Sequence, residues 1–169
     1  GDKVLTEKSN KTCEILELLG SGGQGEVYRV KVDNSELALK WYFPHIANSE
    51  QKANLEDIIR IGAPNSKFLW PMELVKSQNS SSYGYLMPLR GKQYKSIAAY
   101  LRRKCDSNFS SIIKASYNLA DSFYKLQTKG LCYQDINIGN VFFEPNTGDI
   151  LICDNDNVTI NNTGHIGVL

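Results

Sequence analysis

The chain has 169 residues, 41% of them hydrophobic, and a formal net charge of +1. This length accommodates one globular core or two small lobes, and the composition excludes a disordered or fibrous protein. A near-neutral charge provides no basic excess that would attract nucleic acid or an anionic membrane, so neither is predicted as a partner.

The cysteines are scattered along the chain and form no C-x-x-C pair. Buried, reduced thiols are the simplest interpretation. No charged and apolar leader begins the chain, and no apolar stretch approaches the roughly 18 residues that a membrane helix needs. These features predict a cytoplasmic protein.

The first half of the chain has the period-two pattern of β-strands. The predicted strands are residues 12–19, 26–32, 36–43, 68–75 and 83–89. After the third strand, Ser49 can cap a helix that runs to about Ile61. The pattern therefore predicts a five-stranded antiparallel sheet that carries one helix.

The second half of the chain changes to helical spacing. Apolar residues recur every three or four positions in residues 96–104 and 109–128, which predicts two helices. A polar loop at 134–140 precedes two short strands, 141–143 and 150–153, that are joined by a turn. The predicted fold class is α+β.

The glycine cluster is the first motif that suggests a ligand. Residues 20–27, GSGGQGEV, fit the pattern G-x-G-x-x-G-x-V, in which missing side chains let backbone N–H groups approach phosphates. A dinucleotide-binding fold would follow the glycines with a helix, and a P-loop would follow them with Gly-Lys-Ser/Thr. A strand is predicted here instead, so a flap over phosphates fits best. A plain glycine-rich hairpin is the alternative.

Lys40 lies on the next predicted strand, on the same side as Ala38. It can point beneath the glycine loop and pair with nucleotide phosphates, although strand lysines usually face solvent. The following helix offers Glu56 or Asp57 as the acid that holds Lys40 in place, and Glu56 is preferred. Either acid could equally face solvent.

Asp135, Asn140 and Asp154 form the most specific pattern in the sequence. An acid, an amide five residues later and an acid that ends an apolar strand are the groups that phosphoryl transfer needs. Asp135 can accept the proton of an attacking hydroxyl, and the other two can supply oxygen ligands to magnesium. The alternative is that such residues serve turns, which is less suited to all three positions together.

The order of these motifs resembles the protein-kinase superfamily from about Leu18 to Asp154. The resemblance implies a kinase fold, ATP and Mg²⁺ as cofactors, and catalytic roles for Asp135, Lys40 and Glu56. It implies metal ligation by Asn140 and Asp154. It also implies nucleotide contacts from Gly20, Ser21, Gly22, Gly23, Gly25, Val27, Ala38, Lys40, Met87, Pro88, Arg90 and Phe142. Residues 68–71, 133–135 and 153–157 further resemble a bacterial branch of serine/threonine kinase-like proteins.

The sequence departs from the kinase pattern in three places. Tyr133 and Gln134 replace the usual His-Arg before the catalytic acid, which removes the arginine that reads a phosphorylated activation segment. Asn137 replaces a lysine, so a positive charge near the transferred phosphoryl group is lost. Asn155 and Asp156 replace the Phe-Gly that normally follows the metal-binding acid, and Asp156 adds a carboxylate.

The resemblance also divides the chain into two parts. Residues 1–89 would form a kinase-like N-lobe, and residues 90–169 would form the hinge and a partial, helical C-lobe that ends before the remaining helices of the family. A fragment, a protein partner or self-association through the exposed C-lobe surface is expected to account for the uncovered face of the long helix.

Three functions remain open at this point. The first is a phosphotransferase that moves the γ-phosphoryl group of ATP to a protein Ser or Thr hydroxyl. The second is a weak or inactive pseudokinase that acts as a nucleotide sensor or interaction module. The third is a small-molecule kinase, because those enzymes share the Asp-Asn-Asp arrangement.

Overall fold

The computed structural model describes residues 3–161. Residues 1–2 and 162–169, the outer ends of the two predicted domains, lie outside the described residues. The described chain divides into two compact units. The first comprises residues up to 62 together with 69–90, and the second comprises 63–68 and the residues from 91 onward.

The first unit is an antiparallel sheet with one helix. Its elements are β1 (Lys3–Thr6), β2 (Thr12–Ser21), β3 (Gly25–Val32), β4 (Ser35–Tyr42), α1 (Ser49–Ile61), β5 (Glu73–Lys76) and β6 (Tyr83–Pro88). The strand order is β1-β2-β3-β4-β6-β5, and β1 also pairs with β5. The five predicted strands correspond to β2–β6. The structure adds β1, and it starts β5 later than the predicted strand at 68–75.

One face of this sheet carries the apolar core of the first unit. Seven buried side chains form the cluster: Val4, Cys13, Val30, Val32, Leu39, Val75 and Leu86. Because side chains alternate along a strand, the neighbours of Leu39 on β4 point to the opposite face. Lys40 and Ala38 therefore lie on the face away from this cluster. Burial raises the pKa of the Cys13 thiol to about 11, and the charge of Glu73 adds to that effect.

Helix α1 has the predicted range, but its N-cap differs from the prediction. The cap is Asn48, whose side chain accepts a hydrogen bond from the Gln51 amide at 2.8 Å. Asn48 takes this role because it has extended backbone angles, whereas Ser49 is already helical. The helix buries Leu55 and Ile58 completely.

The second unit combines two helices with short strand pairs. Its elements are β7 (Lys95–Ser96), α2 (Ile97–Leu101), α3 (Phe109–Thr128), β8 (Leu131–Tyr133), β9 (Val141–Phe143), β10 (Ile150–Ile152), a 3-10 turn (Asn155–Asn157) and β11 (Val158–Ile160). Strand β9 lies between β10 and β7, and β8 pairs with β11. Helix α3 matches its prediction, whereas α2 is shorter than the predicted helix at 96–104.

Asp149 connects three segments of the second unit. It accepts hydrogen bonds from the Lys67 ammonium and, at 2.5 Å, from the Tyr94 hydroxyl. Partial burial of Asp149 opposes its ionisation, but the hydrogen bonds from Lys67 and Tyr94, the charge of Lys67 and a backbone hydrogen bond together outweigh burial and lower the pKa of the carboxyl. The same contact raises the pKa of Tyr94 to about 12.

Among the residues that the structure describes, no helix is both long enough and apolar enough to span a bilayer.

Candidate functional site

The glycine loop is the turn of the β2–β3 hairpin, and Gly22 N–H donates to the Gly25 carbonyl at 2.9 Å across it. A Cβ atom added to Gly20, Gly22 or Gly23 would meet no other atom within 4 Å, and none of these three glycines has a positive φ. The fold therefore does not require glycine there. The backbone at these positions is open to a ligand, as the sequence predicts for a phosphate flap.

Gly25 is different, because a Cβ atom there would lie 2.1 Å from the Trp41 carbonyl oxygen. This glycine is required by the close approach of β3 and β4. Packing therefore requires glycine at Gly25 but not at the other three glycines of the motif.

Lys40 and its neighbours form one face of the sheet in the first unit. Lys40 is 6% exposed and is paired with Val27 on β3, and Ala38 is paired with Met87 on β6. Directly opposed residues of an antiparallel pair share a face, so these four predicted site residues lie together. The Lys40 ammonium also lies 5.5 Å from the centroid of the Tyr42 ring.

Gln24 is a functional candidate that the sequence reasoning missed. Its side-chain oxygen accepts a hydrogen bond from Lys40 Nζ at 3.1 Å. Its backbone carbonyl accepts from the Phe43 amide at 3.0 Å, which ties the loop tip to the end of β4. A long polar side chain inside the G-x-x-G segment was the available signal for this contact.

The two helix acids proposed as partners of Lys40 have other surroundings. Glu56 is exposed, and in the described part of the chain it forms no ion pair. Asp57 is half-buried and accepts from Arg60 at 2.5 Å on the same helix. The structure therefore shows Gln24 at Lys40, and the choice between Glu56 and Asp57 stays a prediction.

The remaining predicted residues of the first unit follow one another at the end of β6. Pro88 is the last residue of that strand and is paired with Leu37 on β4, and Arg90 lies exposed two residues later. Their predicted contacts with an adenine ring stay predictions.

In the second unit, the loop after β8 brings Asp135 and Asn140 into contact. The Asn140 side-chain amide donates to the Asp135 carbonyl at 3.0 Å and to its Oδ2 at 3.3 Å. Asn140 is 7% exposed, whereas Asp135 is exposed to solvent. The acid and the amide five residues later are thus neighbours, as their predicted roles require.

Asn140 and Asp154 lie at the same end of the β9–β10 pair. Val141 is paired with Ile152, so Asn140 precedes one strand where the other ends. The Cys153 amide donates to the Asn140 carbonyl at 2.8 Å, which bonds the residue before Asp154 directly to Asn140. Asp154 has the left-handed φ of +52°, a conformation that is uncommon outside glycine and that often marks functional sites. Phe142, the predicted adenine contact, is half-buried on β9.

The residues that replace the kinase His-Arg have defined structural contacts. Tyr133 is buried, and its hydroxyl donates to the Cys153 carbonyl. Burial raises the pKa of Tyr133 far above its ordinary value, and the charge of Asp154 adds to the effect. Gln134 Nε2 donates to the Thr159 hydroxyl of β11 at 2.9 Å. Both residues tie the loop to neighbouring strands.

The donor set in the second unit fits magnesium bound together with a nucleotide. Mg²⁺ prefers oxygen ligands and is usually held by one or two carboxylates plus substrate phosphates. Asn140 and Asp154 offer one amide oxygen and one carboxylate, both of this kind. Within residues 3–161, no three or more His, Cys, Asp or Glu side chains converge on one point.

Known proteins with a similar sequence and a similar fold include protein kinases. No protein-family model matches the chain. The sequence is 27% identical over 176 residues to protein kinase MCK1 of Saccharomyces cerevisiae, an alignment that covers 90% of this chain and 44% of the yeast protein. The fold is similar to the crystal structure of the Mycobacterium tuberculosis PknI kinase domain, with a TM-score of 0.64 and 18% identity. That alignment covers 85% of this chain and 59% of the PknI chain.

The sequence and the fold of the chain both resemble those of protein kinases. The predicted kinase-like α+β fold is confirmed. This kinase-like chain spans less than half the length of the yeast kinase, so activity, substrate and partners of the whole protein are matters for proposal. The assignment to a bacterial branch stays a prediction.

Proposed function

We propose that this kinase-like chain is part of a phosphotransferase that binds ATP with Mg²⁺ and transfers the γ-phosphoryl group to a Ser or Thr hydroxyl of a protein. The observation that carries the proposal is the arrangement in the second unit. There, Asn140 contacts Asp135 and is bonded through its carbonyl to the residue before Asp154. An acid, an amide and a second acid held in this order suit phosphoryl transfer.

Each proposed role follows from the chemistry of the group. The acceptor hydroxyl oxygen forms a bond to the γ-phosphorus, the bond from phosphorus to the ADP oxygen breaks, and the hydroxyl proton passes to Asp135. Lys40 and the open backbone at Gly22 and Gly23 would neutralise and bind phosphate oxygens. When bound by Asn140 and Asp154, magnesium would neutralise phosphate charge.

A nucleotide-binding protein without catalysis is the second candidate, and a specific contact favours it. Asn137, which replaces the kinase lysine, donates its side-chain amide to Asp135 Oδ2 at 3.0 Å. A neutral amide supplies less stabilisation to a transferred phosphoryl group than a cation would. Binding without transfer would support this alternative.

The first test is titration calorimetry with ATP, with and without magnesium. We expect magnesium-dependent binding that is lost in Lys40→Ala and weakened in Asp154→Asn. Matched controls are Lys31→Ala on β3 and Asp121→Asn on α3, both outside the proposed site. Equal affinity in Lys40→Ala and the parent would contradict the proposed phosphate contact.

The second test separates transfer from binding. We expect the chain to move radiolabelled phosphate from [γ-³²P]ATP to casein, a protein rich in Ser and Thr acceptors, and Asp135→Ala to abolish this transfer while still binding ATP. Binding without transfer in the parent would favour the sensor, and transfer only to small hydroxyl compounds would favour a small-molecule kinase.

The proposed compartment is the cytoplasm, which four free thiols suit.

A further inference from the structure

The side chain of Asn137 is held at both ends. Its Oδ1 accepts a hydrogen bond from the Gly139 amide at 2.8 Å, and its Nδ2 donates to Asp135 Oδ2 at 3.0 Å. One carboxamide thus connects the turn that follows it to the candidate catalytic acid that precedes it.

The contact with Gly139 fixes the direction of the carboxamide. An Asn side chain that accepts from the amide two residues later forms an Asx turn, which holds the side-chain plane close to the backbone. A Cβ atom on Gly139 would lie 3.0 Å from Asn137 Oδ1, so the small residue leaves room for this arrangement. With Oδ1 held by the backbone, Nδ2 is directed to Asp135.

A second amide reaches the same carboxylate oxygen. Asn140 Nδ2 lies 3.3 Å from Asp135 Oδ2. Both donors therefore act on Oδ2, and within the described chain no hydrogen bond is donated to Oδ1. This arrangement fixes the carboxylate plane and leaves one oxygen available to accept a proton.

We propose that Asn137 is a positioning residue that orients Asp135 so that its Oδ1 meets the acceptor hydroxyl. The proposal rests on the function proposed above, because it gives Asp135 the role of proton acceptor. A lysine at this position would partly neutralise the Asp135 carboxylate. The neutral amide of Asn137 instead orients the carboxylate and leaves its charge in place.

Kinetics of two Asn137 variants test this role. Asn137→Ala removes both contacts, whereas Asn137→Asp keeps an oxygen for the Gly139 amide but cannot donate to Asp135. We expect both variants to lower kcat about three- to tenfold, the scale of one hydrogen bond to an exposed carboxylate, with the Kd for ATP unchanged. A parent-like kcat in Asn137→Asp would overturn the proposal, because the turn alone would then explain the residue.

The matched control is Asn146→Ala. Asn146 donates to Glu144 Oε1 at 3.0 Å, so it is also an amide that binds an acid two residues earlier, but it lies in the turn after β9. This variant should retain the parent kcat. A loss equal to that of Asn137→Ala would show that the effect is not specific to Asp135.

A spectroscopic test decides the contact even without transfer. In ¹⁵N-labelled protein, the side-chain amide signals of Asn137 should shift when Asp135 is changed to Asn, while those of Asn146 should shift only in Glu144→Gln. Unmoved Asn137 signals in Asp135→Asn would overturn the proposal. If the parent transfers no phosphate, the proposed function fails, and this spectrum alone decides whether Asn137 orients Asp135.

Discussion

Gly22 and Gly25 lie three residues apart in one hairpin, yet different constraints act on them. A Cβ atom on Gly25 would overlap the Trp41 carbonyl, whereas one on Gly22 would point into open space. We expect Gly25→Ala to lower the free energy of unfolding by about 1–3 kcal/mol. Gly22→Ala should leave it nearly unchanged or raise it slightly, because alanine restricts the unfolded chain.

Urea unfolding measures the difference in the free energy of unfolding between the two variants. Titration of Gly22→Ala with ATP tests whether the backbone at Gly22 contacts the nucleotide. That variant should bind ATP more weakly although it is fully stable. Equal destabilisation by the two substitutions would contradict the assignment of separate roles.

The hydrogen bond between Gln24 and Lys40 predicts competition with phosphate. Lys40 is almost fully buried, so a phosphate oxygen that binds its ammonium must share it with the Gln24 side chain or displace that side chain. We expect Gln24→Ala to bind ADP about three- to tenfold more tightly, since the competing acceptor is gone. Gln24→Glu should bind it more weakly, because a carboxylate would hold the ammonium by charge.

Calorimetry with ADP measures both effects, and Gln51→Ala on α1 serves as a control on the same unit. Weaker binding in Gln24→Ala would mean that the glutamine itself contacts the nucleotide.

The order of site residues was predictable at the residue scale, but their side-chain contacts were not. The spacing of Asp135, Asn140 and Asp154 predicted groups for one chemistry, and the structure brings the first two into contact. Spacing carries no information on the direction of a side chain. The bonds of Gln24 to Lys40 and of Asn137 to Asp135 were therefore not predicted, and Glu56, chosen by position along its helix, is exposed.

Among the elements, the long periodic segments and the short strands β9 and β10, which a turn joins, were predictable, whereas four other short strands were not. Helix α3 matches its prediction from Phe109 to Thr128 because twenty residues of helical spacing give a strong pattern. Strands β1, β7, β8 and β11 have two to four residues each, and β7, β8 and β11 pair with strands that are not next to them in the sequence. Residues 68–72 were predicted as part of a strand but precede β5, and the buried Trp70 among them donates its indole N–H to the Ile58 carbonyl of α1.

The contacts of Asp149 predict how the second unit responds to acid. The folded pKa of this carboxyl is lower than its unfolded value of about 3.9, so its contribution to stability is present above that pH and is lost as the pH falls through the folded pKa. We expect Asp149→Asn to lower the free energy of unfolding by about 1 kcal/mol at pH 7, a value that reflects partial exposure of the pair with Lys67.

Urea unfolding at pH 7, 5 and 3 measures this dependence. The difference between parent and variant should persist at pH 5 and narrow at pH 3. The control variant is Asp121→Asn, which removes the ion pair between Asp121 and Lys125 on α3. It should lower the free energy of unfolding by less than about 0.5 kcal/mol. A constant difference at all three pH values would contradict the role of the Asp149 charge.

At the scale of the molecule, α3 keeps a row of exposed apolar side chains. Phe109, Ile113, Tyr117 and Tyr124 are spaced four or seven residues apart and are each more than half exposed, at 54% to 80%. The sequence predicted that this helix would present an uncovered apolar face, and the structure shows these side chains exposed. Self-association through it stays a prediction.

Nucleotide binding should stabilise the whole chain through linkage. A ligand that binds only the folded state at one hundred times its Kd adds about 2.7 kcal/mol, which corresponds to a rise of about 5–10 °C in Tm for a chain of this size. We expect ATP with magnesium to produce this shift in the parent and in Lys31→Ala, and to produce none in Lys40→Ala. Differential scanning fluorimetry at increasing ATP concentration measures it. A shift of equal size in Lys40→Ala would place the nucleotide elsewhere on the chain, because the buried lysine would then contribute nothing to binding.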